Sequence, residues 1–355
     1  MMGASVYPPK NIASISRSYE YKHKPRRLGE RVGAFTLASY PAGEFSYADT
    51  KLAYSPEMTD INGKSKLDDY RKNTYFCPSM SALTDAGTKA LPFSAFSESN
   101  SEPGPTLAPL LAAEWEKLGF SSLYAHIAKG SICIAHYMTD DMADEYTKRI
   151  TDYNRKNGTS YNVHIPPHQR MKGAADYFIE KCRDFFADAT AEFPSDEIAS
   201  RSFFWLQGEG DADNAEKEYE IKLEILWEKL KKIGFTHFFC IRVGFWGNED
   251  IVNVMRAEES FTEKTKDAFM LTRAASYFNY AGQDECDWFV SDNEEEYKFC
   301  RDSFYGFGNQ HFNEKGFSVI AKHSINNLYR VLIEGKDPIL EAENIKKMLK
   351  TEVEA

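Results

Sequence analysis

The chain has 355 residues, of which 42% are hydrophobic and 14% aromatic, a length and composition that indicate a globular protein with a substantial core and exclude a disordered chain. With 43 Lys and Arg against 54 Asp and Glu, the formal net charge is -11, which disfavours a surface that tracks nucleic-acid phosphates or anionic lipid. The longest apolar stretches fall far short of the roughly 20 residues that span a bilayer. We therefore expect neither a nucleic-acid partner nor a membrane anchor.

The first residues and the cysteines bear on the cellular compartment. The segment from Met1 to Pro9 has neither the basic nor the apolar region of a secretory signal. As written, the chain is therefore expected to be cytoplasmic, or extracellular if a signal has been removed. The six cysteines show no CxxC spacing, and several lie within apolar runs, which predicts reduced, structural thiols.

From residue 107 onward one pattern recurs, in which a helix ends at glycine and an apolar strand follows. A helix predicted over 106–118 ends before Gly119, and a helix predicted over 215–233 ends before Gly234. The helices that we predict are, in chain order, 106–118, 141–155, 171–192, 215–233, 267–280 and 313–334. The predicted strands are 32–38, 123–128, 203–206, 237–244 and 288–290.

This alternation indicates the fold class. Strands that are apolar throughout and alternate with helices are typical of a parallel sheet covered on both faces. We therefore predict an α/β fold with a doubly wound central parallel sheet flanked by helices, a flavodoxin-like three-layer sandwich. Because no linker separates two cores, residues 1–337 are expected to form a single domain. A long insertion is predicted at about 40–105 and a solvated helical tail at 338–355.

In such sheets ligands bind beyond the carboxyl ends of the strands, and the run W-L-Q-G-E at 205–209 ends a strand in a polar turn. As a dinucleotide fingerprint, its G-x-G would place Glu209 and Asp211 against a pyrophosphate, which disfavours that interpretation. As a calcium loop, it offers Glu209, Asp211 and Asp213 but follows a strand and has Asn214 where the turn glycine belongs. A plain helix cap would not need the Gln-Gly-Glu triplet.

The W-x-Q-G-E pattern resembles the signature of the sialate O-acetylesterase-like branch of the SGNH hydrolases, serine esterases that remove acetyl groups from sugars. Two more blocks are similar to this family and occur in the same order. One is G-P-T-L-A at 104–108 with the later Lys129-Gly130-Ser131, and the other is N-Q-H-F-N-E-K-G-F at 309–317. The resemblance covers about residues 100–330 and implies an SGNH-hydrolase sandwich, an acetylated carbohydrate as substrate, and no cofactor or metal.

The resemblance also implies roles for particular residues. His311 corresponds to the catalytic base, and a histidine with a pKa of about 6.5 is mostly neutral at pH 7 and able to take the proton of a serine. Gly130 and Gln207, with Gly208, correspond to the oxyanion and substrate-binding groups. Glu209 is expected to orient the site or to bind a substrate hydroxyl.

Two serines are candidates for the nucleophile. The family places it in a G-Q-S or G-D-S block after the first strand, and that block does not occur as such in this sequence. Ser39 follows the predicted strand 32–38 and has Gly43 four residues later, as in G-Q-S-N-x-x-G. Ser18 follows a weaker strand and is the alternative.

The acid that orients His311 is also open. The family places an Asp three residues before the histidine, and Gly308 stands there in this chain. The site is therefore a dyad, or uses Glu209, Asp292 or Asp302. Because both blocks are altered, the alternative function is that of a non-catalytic glycan- or partner-binding protein on a decayed SGNH scaffold.

Overall fold

The structure of the protein is a computed structural model with two small sheets and the helices around them. It describes residues 74–77, 94–95, 107–118, 122–125, 133–165, 175–176, 178–180, 182–183, 186, 200–244, 251–277, 312 and 314–354. The strands are β1 Thr74–Cys77, β2 Ser94–Ala95, β3 Ser122–Ala125, β4 Ser202–Trp205, β5 His237–Ile241 and β6 Ala268–Thr272. The helices are α1 Leu107–Lys117, α2 Asp140–Asn157, α3 Glu216–Ile233, α4 Val252–Lys264, α5 Ala274–Tyr277, α6 Glu314–Tyr329 and α7 Ala342–Glu354.

One sheet has the strand order β4-β5-β6 and is entirely parallel. Its register pairs Phe203 with Phe238, and Phe238 with Ala268. Helix α3 connects β4 to β5, and α4 connects β5 to β6. The other sheet has the order β2-β1-β3, with β1 parallel to β3 and antiparallel to β2. The α/β class is therefore confirmed, as is the parallel pairing of the predicted strands 203–206 and 237–244.

Helices cover both faces of the β4-β5-β6 sheet. Phe203 and Phe238 point into a hydrophobic cluster that also contains residues of α2, α3 and α4. Phe239 and Leu271 belong to a second cluster with residues of α1, α6 and α7. A strand that is buried on both faces has no polar face, which is why β4 and β5 are recognisable in the sequence as continuous apolar runs.

Most of the predicted helices are present. Helix α3 ends at Gly234, which has a φ of 119° and donates its N–H to the carbonyl oxygens of Leu230 and Lys231. Among the described helices, none combines the length and apolar character needed to cross a bilayer. Helices α1, α2 and α3 confirm the predictions at 106–118, 141–155 and 215–233. Helix α6 confirms the prediction at 313–334, because it continues as a π-helical turn at Arg330–Glu334.

Two expectations need correction, and one helix was not predicted. The segment 267–280 is not one helix, because β6 occupies its first part and the short α5 follows. The helix that was not predicted is α4. Strands β1 and β2 lie within the proposed insertion at 40–105, and since an insertion can contain strands, that assignment stays a prediction. The tail is helical in α7, but it is not solvated throughout, since Ile345 is fully buried against the second cluster.

Other predictions are tested only in part. The described positions of the predicted helix 171–192 are helical, and β3 covers the start of the predicted strand 123–128. The predicted strands 32–38 and 288–290 lie outside the described residues. In the described part of the chain, Cys133, Cys182 and Cys240 are buried free thiols, as expected of structural cysteines.

His323 is a buried histidine that connects α6 to the end of β6. Its Nδ1 lies 2.8 Å from the hydroxyl of Thr272, which also accepts the N–H of Ala274 at 3.0 Å. Because the hydroxyl oxygen accepts from the backbone, its proton is available to a neutral Nδ1. Burial lowers the pKa of His323 to about 4.

This shift predicts a pH-dependent contribution to stability. An unfolded histidine has a pKa of about 6.5, so between that pH and pH 4 the unfolded chain binds a proton that folded His323 does not. The stability contributed by neutral His323 is therefore complete above pH 6.5 and is lost as the pH falls. Between pH 7 and pH 4, the free energy of unfolding of the wild type should therefore fall by about 3 kcal/mol more than that of His323→Gln, which has no histidine at this position. Chemical denaturation at both pH values measures this, with exposed His164→Gln as the control, and equal slopes for His323→Gln and wild type would contradict it.

Candidate active site

The candidate site begins at the carboxyl end of β4. Leu206, Gln207 and Gly208 follow the strand and are buried, and a 3-10 turn then spans Glu209–Asp211. Since β5 and β6 run parallel to β4, their carboxyl ends lie at the same edge of the sheet. This is the edge at which ligands bind in open α/β sheets.

Gly208 allows the turn to lie directly against its neighbours. A Cβ atom at this position would be 2.6 Å from Cγ1 of Val254 in α4 and 3.0 Å from Cγ1 of Val243 beyond β5. A side chain at residue 208 would therefore force Val254 to shift and would crowd Val243. The glycine of the Gln-Gly-Glu triplet therefore has a packing reason that a plain helix cap would not supply.

The side-chain amide of Gln207 is held from both ends. Its Nε2 donates to Oδ2 of Asp211 at 2.7 Å, and the hydroxyl of Tyr219 donates to its Oε1 at 2.9 Å. The same hydroxyl accepts the indole N–H of Trp205 at 3.2 Å. The amide therefore has one orientation, with an N–H directed at Asp211 rather than at open solvent.

Asp211 is the centre of this arrangement, and the sequence predicted no such role for it. Its Oδ2 accepts hydrogen bonds from the backbone N–H of Ile134 at 2.8 Å and from Gln207, and its Oδ1 accepts from Nδ2 of Asn214 at 2.9 Å. Burial raises the pKa of Asp211 to about 6, against the hydrogen bond from Gln207 and the positive charge of Lys222. At pH 7 the ionised form predominates and joins the segment around residue 134 to the turn.

Lys222 of α3 supplies the compensating charge. Its ammonium group donates to Oδ1 of Asn214 and lies 5.2 Å from the ring centroid of Tyr146. Burial lowers the pKa of Lys222, and the neighbouring Asp211 raises it. Asn214 thus bridges a buried cation and a buried anion, which satisfies the requirement that buried charges be paired and hydrogen-bonded.

Glu209 lies in the turn and is half-buried. Burial raises its pKa, backbone hydrogen bonds at Glu209 and Gly208 oppose that shift, and the negative charge of Asp211 adds to it. The carboxylate therefore uses backbone hydrogen bonds that a dinucleotide phosphate would need. This geometry disfavours the dinucleotide interpretation.

The calcium interpretation is disfavoured by the surroundings of Asp211. Both of its carboxylate oxygens accept hydrogen bonds from N–H groups, whereas a calcium ligand directs its oxygens at the ion. Asp213, the third residue of the proposed loop, is exposed. No group of three His, Cys, Asp or Glu side chains suited to a metal occurs among the residues that the structure describes.

Most of the candidate site residues lie outside the described residues. Gln207, Gly208 and Glu209 are described and lie together in the turn. The others, which are Ser39, Ser18, Gly130, His311, Asp292 and Asp302, lie outside the described residues.

Chain neighbours of two of those residues are nevertheless placed. Ile134, which follows Gly130 by four residues, donates its N–H to Asp211. Phe312, the residue after His311, is buried, and its Cζ lies 3.3 Å from the position of a Cβ on Gly244, just beyond β5. Both contacts are with residues at the carboxyl edge of the β4-β5-β6 sheet.

Substituting Gly208 tests how tightly the turn is packed. We expect Gly208→Ala to destabilise the protein by about 1–3 kcal/mol, because the new methyl group overlaps Val254. Gly158→Ala is the control for a positive φ at an open site, since Gly158 has a φ of 67° and no atom within 4 Å of its Cβ position. Gly208 has a φ of 156°, so a backbone cost of its own adds to the overlap in Gly208→Ala. Adding Val254→Ala should recover part of the loss in Gly208→Ala. Thermal unfolding of the four variants measures this, and additive effects of Gly208→Ala and Val254→Ala would contradict it.

These contacts place an oriented amide, a half-buried carboxylate and a glycine turn at the ligand-binding edge of a parallel sheet. The carboxylate can accept a hydrogen bond from a substrate hydroxyl, whereas the stabilisation of a developing oxyanion would need N–H donors such as those of the amide. No protein-family model and no curated protein matches the chain, so its function is inferred from the arrangement of these residues.

Proposed function

We propose that this protein is a carbohydrate O-acetylesterase that removes acetyl groups from sugar hydroxyls through a serine acyl-enzyme, on a doubly wound SGNH-type sandwich. The observation that carries the proposal is that chain neighbours of Gly130 and His311 contact the same edge of the sheet as the W-x-Q-G-E block. Asp211 bonds Gln207 of the W-x-Q-G-E block to Ile134, which follows Gly130, and Phe312 beside His311 packs against Gly244.

The arrangement of the β4-β5-β6 sheet between two layers of helices supports this proposal. The β4-β5-β6 sheet is parallel and has helices on both faces, as a doubly wound sandwich requires. In that architecture a nucleophile after the first strand and a base before the last helix meet at the carboxyl edge. In the sequence, Ser39 follows the predicted strand 32–38 and His311 precedes α6, the helix before the tail helix α7.

The proposed chemistry uses two protonable groups. Ser39 Oγ attacks the acetyl carbonyl carbon while a ring nitrogen of His311 takes its proton. The bond from the carbonyl carbon to the sugar oxygen then breaks, and that oxygen takes the proton from His311. Water attacks the acetyl-serine with the same base and releases acetate.

The turn after β4 stabilises the tetrahedral intermediates. Asp211 accepts one of the two Nε2 hydrogens of Gln207, and Tyr219 fixes its Oε1. The other Nε2 hydrogen therefore has a set direction before substrate arrives and is the proposed oxyanion donor. The Gly130 N–H contributes a second donor. Glu209, which is half-buried in the turn, is proposed to orient His311 or to accept a hydrogen bond from a sugar hydroxyl.

Hydrolysis of an aryl acetate and of acetylated sugars tests the proposal. We expect the purified protein to release acetate from both, and a chelator to leave the rate unchanged. Binding of a glycan without hydrolysis of either substrate would overturn the proposal and favour the non-catalytic scaffold.

A further inference from the structure

Glu258 on α4 is a buried carboxyl group that the proposed reaction does not use. It is 0% exposed, and its Oε2 accepts the backbone N–H of Val243 at 3.0 Å. No nitrogen or oxygen atom of the described residues bonds to its Oε1, and the weakly polar thiol of Cys240 is the group within hydrogen-bonding reach of the carboxyl. Buried polar atoms without partners are rare in folded proteins and require an explanation.

Val243 connects Glu258 to the turn after β4. The N–H of Val243 lies just beyond β5 and bonds to Glu258, while its Cγ1 is 3.0 Å from the Cβ position of Gly208. Val254 stands one helical turn before Glu258 on α4, and its Cγ1 is 2.6 Å from the same position. One face of α4 therefore anchors the end of β5 and supports the turn.

The adjacent cation is already paired. Arg242 is fully buried, its Nη1 donates to Glu259 at 2.8 Å, and its Nε and Nη2 donate to the hydroxyl of Ser276 at 2.9 Å and 2.7 Å. Glu259 also accepts two hydrogen bonds from Arg273, each of 2.7 Å. The positive charge of Arg242 therefore favours the ionised form of Glu258, but it is already paired with Glu259.

The groups around Glu258 favour its neutral form. Burial raises the pKa of Glu258 well above its usual range, against the Val243 N–H and Arg242, and the negative charges of Glu209 and Glu259 add to the rise. The other titratable groups that face it are the Tyr219 hydroxyl and the Cys240 thiol, whose pKa values burial also raises.

We propose that Glu258 is a positioning residue that, as a neutral carboxylic acid, holds the Val243 amide and thereby fixes the Gly208–Glu209 turn for catalysis. The catalytic part of this inference rests on the proposed esterase function. The protonation of Glu258 and its hydrogen bond from the Val243 N–H do not depend on that function.

Two substitutions of similar volume separate the hydrogen bond from the packing. Glu258→Gln keeps a neutral acceptor for Val243, whereas Glu258→Met keeps the volume and removes the acceptor. We expect Glu258→Gln to retain kcat within about twofold and Glu258→Met to lose about 10- to 100-fold in kcat with little change in KM. Glu263→Gln and Glu263→Met, at an exposed position of the same helix, are matched controls. Equal kcat in Glu258→Met and wild type would overturn the positioning role.

The pH profile gives a readout that packing alone would not change. As the pH rises through the folded-state pKa of Glu258, the wild type acquires a further negative charge near Glu209 and should lose activity. Glu258→Gln cannot ionise and should retain that activity at alkaline pH. Identical alkaline limbs in the two proteins would contradict the inference.

Infrared difference spectroscopy tests the inference without relying on esterase activity. We expect a protonated-carboxyl band at pH 7 that is absent from Glu258→Gln, and slower hydrogen exchange of the Val243 amide in Glu258→Gln than in Glu258→Met. Inactivity of the wild type on all acetyl esters would overturn the proposed function alone. Absence of the band, or equal exchange rates in the two variants, would overturn the role of Glu258.

Discussion

Replacing His311 or Ser39 by alanine is expected to lower kcat for acetyl-ester hydrolysis by at least about 10³-fold. Without the base, the serine proton has no acceptor, and without the serine, no acyl-enzyme forms. The double variant should lose little more than either single variant, because residues that act as a unit are strongly non-additive. Release of aryl alcohol from an aryl acetate measures all three, and circular dichroism reports whether each variant is folded.

Ser18→Ala is the matched control for this experiment. If Ser39 is the nucleophile, Ser18→Ala should keep wild-type activity. Wild-type activity in Ser39→Ala together with loss in Ser18→Ala would transfer the role to Ser18. Full activity in both serine variants would contradict the acyl-serine mechanism.

Glu209→Gln should behave differently from those variants. It removes a charge from the turn but leaves the nucleophile and the base, so activity should fall substantially without disappearing. Retention of full activity would show that Glu209 neither orients the base nor binds substrate.

The fold was predictable where the local sequence pattern and the tertiary packing agree. Strands β4 and β5 are apolar on both faces, and α3 has a clear apolar stripe that ends at Gly234. Strand β6 is different, because Ala268, Met270 and Leu271 favour helix as strongly as strand. The positive φ of Asp267, 65°, begins that strand, and such a turn is difficult to identify from a single sequence.

Helix α4 was missed because its buried face includes carboxyl groups. Val254, Met255 and Phe261 are buried on it, but so are Glu258 and Glu259. A helix is recognised in a sequence by apolar residues at helical spacing. Two adjacent acidic residues on the buried face interrupt that spacing in α4. The position of Glu258 depends on its bond to Val243, fifteen residues earlier.

The sequence identified the turn at 207–209 but not what fixes it. Gln207 and Asp211 are four residues apart, and that spacing is visible without a structure. The bond from Ile134 to Asp211 joins residues 77 positions apart, and only the folded chain brings them together. The buried Lys222 was equally hidden, because a lysine in an amphipathic helix is usually exposed.

Asp211→Ala is expected to have the largest effect on stability. It would leave the N–H groups of Ile134 and Gln207 without this acceptor and would remove the negative charge that most stabilises the buried Lys222 ammonium. Removing one partner of a buried, hydrogen-bonded charge pair typically destabilises a protein by about 3–5 kcal/mol. Esterase activity should fall with it, since Gln207 loses the group that orients its amide. Denaturant unfolding of Asp211→Ala beside Asp213→Ala, which changes an exposed acid two residues away, measures the difference.

A double-mutant cycle separates the charge pair from the hydrogen bonds. Asp211→Asn keeps one acceptor oxygen, and Lys222→Met removes the buried cation at nearly constant volume. If the two charges stabilise each other across Asn214, the double variant should be more stable than the sum of the single effects predicts, by about 0.5–3 kcal/mol. If the two single effects are strictly additive, Asp211 stabilises the protein only through the hydrogen bonds that it accepts from N–H groups. Stability that depends on a chelator in the wild type but not in Asp211→Asn would instead indicate that the carboxylate binds a cation.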